Sequence, residues 1–464
     1  MRARSIPLAG SLVGALFISA AWAVTAYRPR VPPLEVAAVA PEPGEELSGG
    51  ATTVPDPGRN AFGRSLMNMQ RARWPRFFMG KQVFDRNWSD PREGPVAVGP
   101  LFNAASCTTC HLKDGRGRPP QSPTEPAVTL VFQLSGPDGQ EPHPLYGGQL
   151  ATKAVEGTRP EGQVLVDFDE VRGEFATGEL FSLLRPRYQF KDLSRGPLGD
   201  GARVSPRVSP QNFGMGLLEA IPEQALLARV DAEDRDGDGI SGRPNFVEDV
   251  AERRPRLGRF GWKANQPTLH QQVAHALVAD MGLTSELYPR EQAHVEQGGR
   301  EAPEVSRQQM DDVVLYMQLL AVPKRRNWDA PEVLRGKAVF RAIGCAACHV
   351  DAAFTTGDVP AFPELSGQRI YPYTDLLLHD MGEGLADGRP DGLASGSEWR
   401  TPPLWGIGLM RAVSFHTRFL HDGRARNLEE AILWHGGEGA AAQERYVRLA
   451  REDRAAVLAF LDSL

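Results

Sequence analysis

Apolar residues recur at helical spacing in a few short stretches, separated by long segments without a period. Ser306-x-x-Gln309 is a capping box, and Met310, Val313, Val314 and Met317 follow it until Pro323 ends the run. Val457, Leu458, Leu461 and Leu464 share one face and predict a final helix. Asn427 and Glu430 begin another helix that Gly436-Gly437 stops, with Leu428, Ala431, Ile432 and His435 along one stripe. From about 116 to 258, glycine and proline are frequent and periodic segments few, which predicts an insertion of irregular loops. A weak repeat links the two halves: Gly80-Lys81-Gln-Val83-Phe84 returns as Gly336-Lys337-Ala-Val339-Phe340. The pattern predicts a mainly α protein of two related helical modules, 60–322 and 333–464, joined by a linker at 323–332. The large insertion belongs to the first module.

The N-terminus adds a targeting element. Arg2 and Arg4 precede an apolar stretch from Ile6, and Ala21-Trp22-Ala23 fits a cleavage site, so 1–23 reads as an export signal. An uncleaved anchor is the competing reading, because the next charge is Arg28. Either way, a periplasmic location is expected. Residues 24–59 hold prolines at 29, 32, 33, 41, 43, 55 and 57 and read as a tether. Composition, with 41% hydrophobic and 24% charged residues, excludes a disordered chain or a multi-span membrane protein. A net charge of −6 disfavours a nucleic-acid partner.

The cysteines carry the chemistry. All four fall in Cys107-Thr-Thr-Cys110-His111 and Cys345-Ala-Ala-Cys348-His349. In Cys-x-x-Cys-His, two thiols add to the vinyl groups of a haem and the histidine ligates its iron. A zinc site needs four ligands, and neither motif has a second Cys or His pair nearby. Thioredoxin-type exchange leaves the histidine unexplained. Two covalently attached c-type haems are therefore expected, on cytochrome c-type helical modules with long irregular loops. His111 and His349 are the expected proximal iron ligands. His435, on its apolar stripe, is the expected sixth ligand of the second haem, with Met381 as the alternative.

Three segments, Gly258-Arg-Phe-Gly-Trp262-Lys-Ala-Asn-Gln-Pro-Thr-Leu, His379-Asp-Met-Gly-Glu-Gly and Arg400-Thr-Pro-Pro-Leu, carry a resemblance. Ser205-Pro-Arg-Val-Ser-Pro and Gly216-Leu-Leu-Glu-Ala-Ile-Pro extend it through the insertion. The chain resembles the di-haem oxidoreductases of the peroxidase-like class, formerly called thiol oxidoreductases. Those are similar in turn to bacterial di-haem cytochrome c peroxidases and the methylamine-utilisation di-haem enzyme. The resemblance implies that Trp262, Gln272 and Asp280-Met281 occupy the family's tryptophan, glutamine and Glu-Met positions at the active haem, with Asp replacing Glu. It also implies that His421-Asp422-Gly423 is the loop followed fourteen residues later by a methionine ligand, a position held here by His435.

On this reading, hydrogen peroxide or another small oxidant reacts at the first haem. Asp280 is the acid/base, Gln272 its hydrogen-bonding partner, and Trp262 the route for electrons from the second haem. A small redox protein would be the donor. A purely electron-transferring di-haem cytochrome and a di-haem oxygenase resembling rubber-cleaving enzymes are the alternatives. Separately, Asp234, Asp236, Asp238 and Ile240 follow a calcium-loop pattern, with Asn245 in place of its final glutamate.

Overall fold

The two glycines of the repeat stand where helices cross. In the computed structural model, which describes residues 31–94, 96–291 and 303–464, the Trp74–Asp85 helix crosses the Arg307–Gln318 helix at Gly80. A Cβ there would lie 1.9 Å from the Asp312 carbonyl oxygen. The Pro331–Ala342 helix crosses the Arg451–Ser463 helix at Gly336 in the same way, 1.9 Å from the Ala456 carbonyl oxygen. The phenylalanine four residues on packs on the partner helix in each case: Phe84 against Tyr316 at 5.5 Å and Phe340 against Phe460 at 5.1 Å. Both halves are therefore built on one crossing, and the repeat marks its contact point. Gly336→Ala should cost about 1–3 kcal/mol by overpacking, read as a fall in melting temperature, while Ala338→Gly on the same helix lacks that clash.

The expected capping box is present, with Ser306 N–H donating to Gln309 Oε1 at 3.1 Å and Gln309 N–H to Ser306 Oγ at 3.3 Å. The final helix spans Arg451–Ser463 and buries Val457 and Leu461. The helix begun at Asn427 is shorter than expected. It ends at Leu433, which leaves His435 in the turn beyond it.

The mainly α expectation is corrected. Helix accounts for 29% and strand for 17%, the strands forming two-stranded antiparallel sheets. The largest is a ribbon of Gln163–Glu174 paired with Leu180–Lys191, lying inside the stretch expected to be irregular. Its alternation is visible in Val164, Val166 and Phe168, which with Leu130, Phe132, Leu134 and Val208 form a separate small core. Pro186, opposite Phe168, obscures the pattern. A two-stranded ribbon tolerates it because both strands are edges and one side of each needs no ladder donor.

The ribbon reaches across to the second module. At its tip, Ala176 N–H donates to the Val447 carbonyl at 3.0 Å, and the Arg454 guanidinium lies 3.9 Å over the Phe175 ring. Further back, Arg426 donates to the Ser182 carbonyl at 2.8 Å, and Tyr188 donates its hydroxyl proton to Asp422 at 3.1 Å.

Residues 31–59 are not a free tether. Val54 exchanges backbone bonds with Val322 and Lys324, and Glu45, 1% exposed, pairs with Arg325 and Lys337. Proline prevents a helix here but allows an extended strap, and the buried cations fix it in place. Arg325 draws the 323–332 segment into the same cluster. The expected export signal, 1–23, lies outside the described residues. No described helix is long and apolar enough to cross a membrane.

A seam cavity as the candidate functional site

Each Cys-x-x-Cys-His motif sits on one short turn. Ser106 caps Cys107–Cys110, its Oγ accepting from Thr109 N–H at 3.2 Å. Gly344, at φ 100°, turns the chain into Cys345–Ala347. Burial pushes the Cys107, Cys110 and Cys345 thiols up to about 12. Such thiols lack the thiolate character that thiol–disulfide exchange requires.

Two of the histidines, His349 and His435, are oriented for ligation. His349 Nδ1 lies 3.0 Å from the Tyr373 carbonyl oxygen and His435 Nδ1 lies 2.7 Å from that of Ala431. A carbonyl only accepts, so Nδ1 carries the hydrogen and Nε2 keeps its lone pair for a metal. Burial, reinforced by neighbouring His435, pushes His349 down to about 4. His111 is driven to about 4 by burial against the opposing pull of the Pro210 and Gly115 carbonyls. All three imidazoles are therefore neutral, as iron ligands must be.

Both motifs line one cavity of about 710 Å³ on the seam between the modules, within the usual range of about 300–1,000 Å³ for cofactor sites. The donor set fits c-type haem. Cys107, Cys110 and His111 would hold one group and Cys345, Cys348, His349 and His435 the other, inside a cavity whose wall buries the unpartnered Gln272 Oε1.

The expected catalytic residues share this cavity. Asp280 and Gln272 lie on the Leu269–Met281 helix, capped by Thr268. Gln149 Nε2 donates to Asp280 Oδ1 at 2.8 Å. Burial lifts the Asp280 carboxyl to about 6, with the Gln149 bond opposing. Trp262 is anchored by its indole N–H on the Val208 carbonyl at 2.8 Å, and its own carbonyl accepts from Arg400 N–H at 2.9 Å. First-module and second-module residues thus meet at this ring.

Met381 packs beside His435 at Gly439, so both candidate ligands border the cavity. His379, two residues before Met381, is committed elsewhere: Nε2 lies 2.9 Å from Asp375 and Nδ1 2.7 Å from Glu438. Burial alone would lower this imidazole, but the hydrogen bonds to Asp375, Cys348 and Glu438 raise it from 6.5 to about 12. A raised folded value contributes stability in full below pH 6.5, and that contribution fades as pH climbs towards 12. His379→Gln should therefore destabilise most at pH 6 and less at pH 9, measured by urea unfolding at the two values.

Three carboxylates of the acidic loop converge, but they are Asp231, Asp234 and Asp236. Asp238 instead accepts from Ile240 N–H at 2.8 Å, inside its own turn. Of the expected set, Asp234 and Asp236 belong to this group, while Asp238 and Ile240 do not.

Among other wall residues, His275 and Arg116 escaped the sequence reading, while Arg400 and His421 stood only in segments of the family resemblance. His275, one turn after Gln272, lines the cavity with no hydrogen bond to its ring among the described residues. Arg116 and Arg400 flank Trp262, and His421 stacks on Trp399 at 3.8 Å. The helical interval from Gln272 to His275 was a usable signal; Arg116 is brought in by long-range packing and had none.

A family model described as "Di-haem oxidoreductase, putative peroxidase" matches residues 44–133 and 189–464. The unmatched 134–188 include most of the ribbon. No curated protein sequence matches the chain. Among solved structures, hydrazine synthase of Kuenenia stuttgartiensis, from a crystal pressurised with 20 bar xenon, is similar at 14% identity. It covers 98% of this chain and 100% of its own with a TM-score of 0.37, too distant to transfer fold or activity. With well over half of its length matched, both cysteine motifs included, the chain belongs to the di-haem oxidoreductase family.

Proposed function

We propose that the protein is an exported, periplasmic peroxidase with two covalently attached c-type haems, taking electrons at the second and reducing hydrogen peroxide at the first. The observation that supports this best is the shared cavity. On its second-motif side, His349 and His435 both keep Nε2 for a metal, while its first-motif side carries a titratable Asp280 and an unpartnered Gln272 amide. When bound, haem iron supplies the coordination position and the reversible one-electron couple. The chain supplies the rest. Asp280 takes a proton from one peroxide oxygen and returns it to the other, which then leaves as water. Gln272 positions the bound peroxide, and the apolar wall excludes bulk solvent. Peroxide reduction consumes two electrons and two protons, the electrons coming from a small redox protein. Trp262, held at the seam by Val208 and Arg400, carries the electrons from the second haem to the first.

Spectroscopy of the holoprotein tests this reading. A high-spin ferric haem, oxidised or half-reduced, that changes on adding peroxide is the expected result. Two low-spin haems inert to peroxide in both states overturn it and leave an electron carrier. Calcium at Asp231, Asp234 and Asp236 is part of the proposal. Chelation should lower the melting temperature and calcium restore it, and an unchanged value removes the ion.

A further inference from the structure

Two buried guanidiniums face the cavity without a carboxylate to neutralise them. Arg116, 6% exposed, lies five residues after the first motif histidine, and Arg400, 7% exposed, belongs to the second module. Both line the cavity, and neither forms an ion pair among the described residues. Arg116 donates one Nη2 bond to the Leu420 carbonyl, stands 5.0 Å over the Trp262 ring and leaves its buried Nε unpartnered. Arg400 donates to the Gly261 carbonyl at 2.9 Å and to the Thr401 carbonyl at 3.1 Å, which leaves donors of its five N–H groups over. The carboxylates that act on them are already committed. Asp422 holds Arg424 at 2.8 Å and Asp375 holds His379 at 2.9 Å.

A buried, unpaired cation is costly, and the cost is removed when an anion shares its site. Two such cations, one from each module, border a cavity that fits two groups each carrying carboxylate side chains. We propose that Arg116 and Arg400 are the receptors of the haem carboxylates at the seam, and that their charges set the haem reduction potentials. This rests on the two haems of the family and does not depend on peroxide being the substrate. The shared chemistry is a carboxylate or similar anion held by a guanidinium fork. Its sources are the haem edge and a small free anion, and the proposal commits to the haem edge. A positive charge beside a haem carboxylate favours the reduced form, so removing it lowers the potential.

The test is a spectrophotometric redox titration of the holoprotein, with resonance Raman of the haem propionate bending bands. Arg116→Gln and Arg400→Gln should each lower one haem's potential by about a tenfold shift in its one-electron equilibrium, about 59 mV, and shift its propionate band. Lysine at either position should restore most of the potential. Wild-type potentials should stay constant across chloride, acetate and phosphate. Unchanged potentials and bands in both Gln variants overturn the proposal, as do wild-type potentials that follow anion concentration. Should a Gln variant fail to retain haem, the Lys variants decide. A shifted propionate band with retained potential supports the assignment, and an unaltered band overturns it. None of these readouts uses peroxide, so failure here is distinct from failure of the peroxidase reading.

Discussion

Asp280→Asn should lower peroxide turnover by about 10²–10⁴, the range for removing a general acid/base, while haem content and the absorption spectrum stay near native. The substitution keeps the shape of the side chain and its Gln149 contact, and removes only the group that titrates. Its pH signature separates this role from a structural one. Burial lifts the carboxyl to about 6, and the base form is needed to accept the first proton. Wild-type kcat/KM should therefore rise with pH through a limb near 6, and the Asn variant should lose that limb. Full activity in Asp280→Asn would falsify the assignment and turn attention to His275 on the same wall. Glu219 is not available for the role, because its carboxylate caps Leu269 N–H at 2.8 Å and accepts from Gln318 at 2.8 Å.

His435→Ala should convert the second haem from low-spin to high-spin or water-ligated and impair electron entry, leaving peroxide binding at the first haem intact. Electron paramagnetic resonance reads the ligation directly, and stopped-flow reduction by a small donor reads electron entry. The two substitutions thus divide along the cavity, one blocking proton transfer and the other electron supply. If the low-spin signal survives in His435→Ala, Met381, packed beside it at Gly439, is the ligand, and His435→Ala/Met381→Ala should then lose that signal.

What could be read in the sequence was local. The capping box at Ser306, the cysteine motifs and the repeat around Gly80 and Gly336 are short patterns, although the partners those glycines touch, Asp312 and Ala456, lie far along the chain. Leu428, Ala431, Ile432 and His435 were placed on one face by spacing, and all four line the cavity, although the helix itself stops at Leu433. What could not be read depends on distant partners. The ribbon hid behind Pro186, and the strap at Glu45 is buried only because Arg325 and Lys337 meet it from far along the chain. In the same way, Arg116 and Arg400 look like surface charges until folding encloses them.

The ribbon also bears on the order of assembly. Its tip rests on Arg454, 275 residues along the chain from Glu179, so this contact cannot form until the chain has been made as far as that arginine. The first module's helix crossing, Gly80 on Asp312, lies wholly upstream of Arg454 and can form earlier, whereas the second module's crossing at Ala456 uses the same C-terminal helix as this clasp. The clasp and the second module's own crossing therefore both wait for the Arg451–Ser463 helix. The Cys345–Ala347 turn, which follows the Pro331–Ala342 helix, thus emerges before the helix that covers its module, while the first module can already be closed.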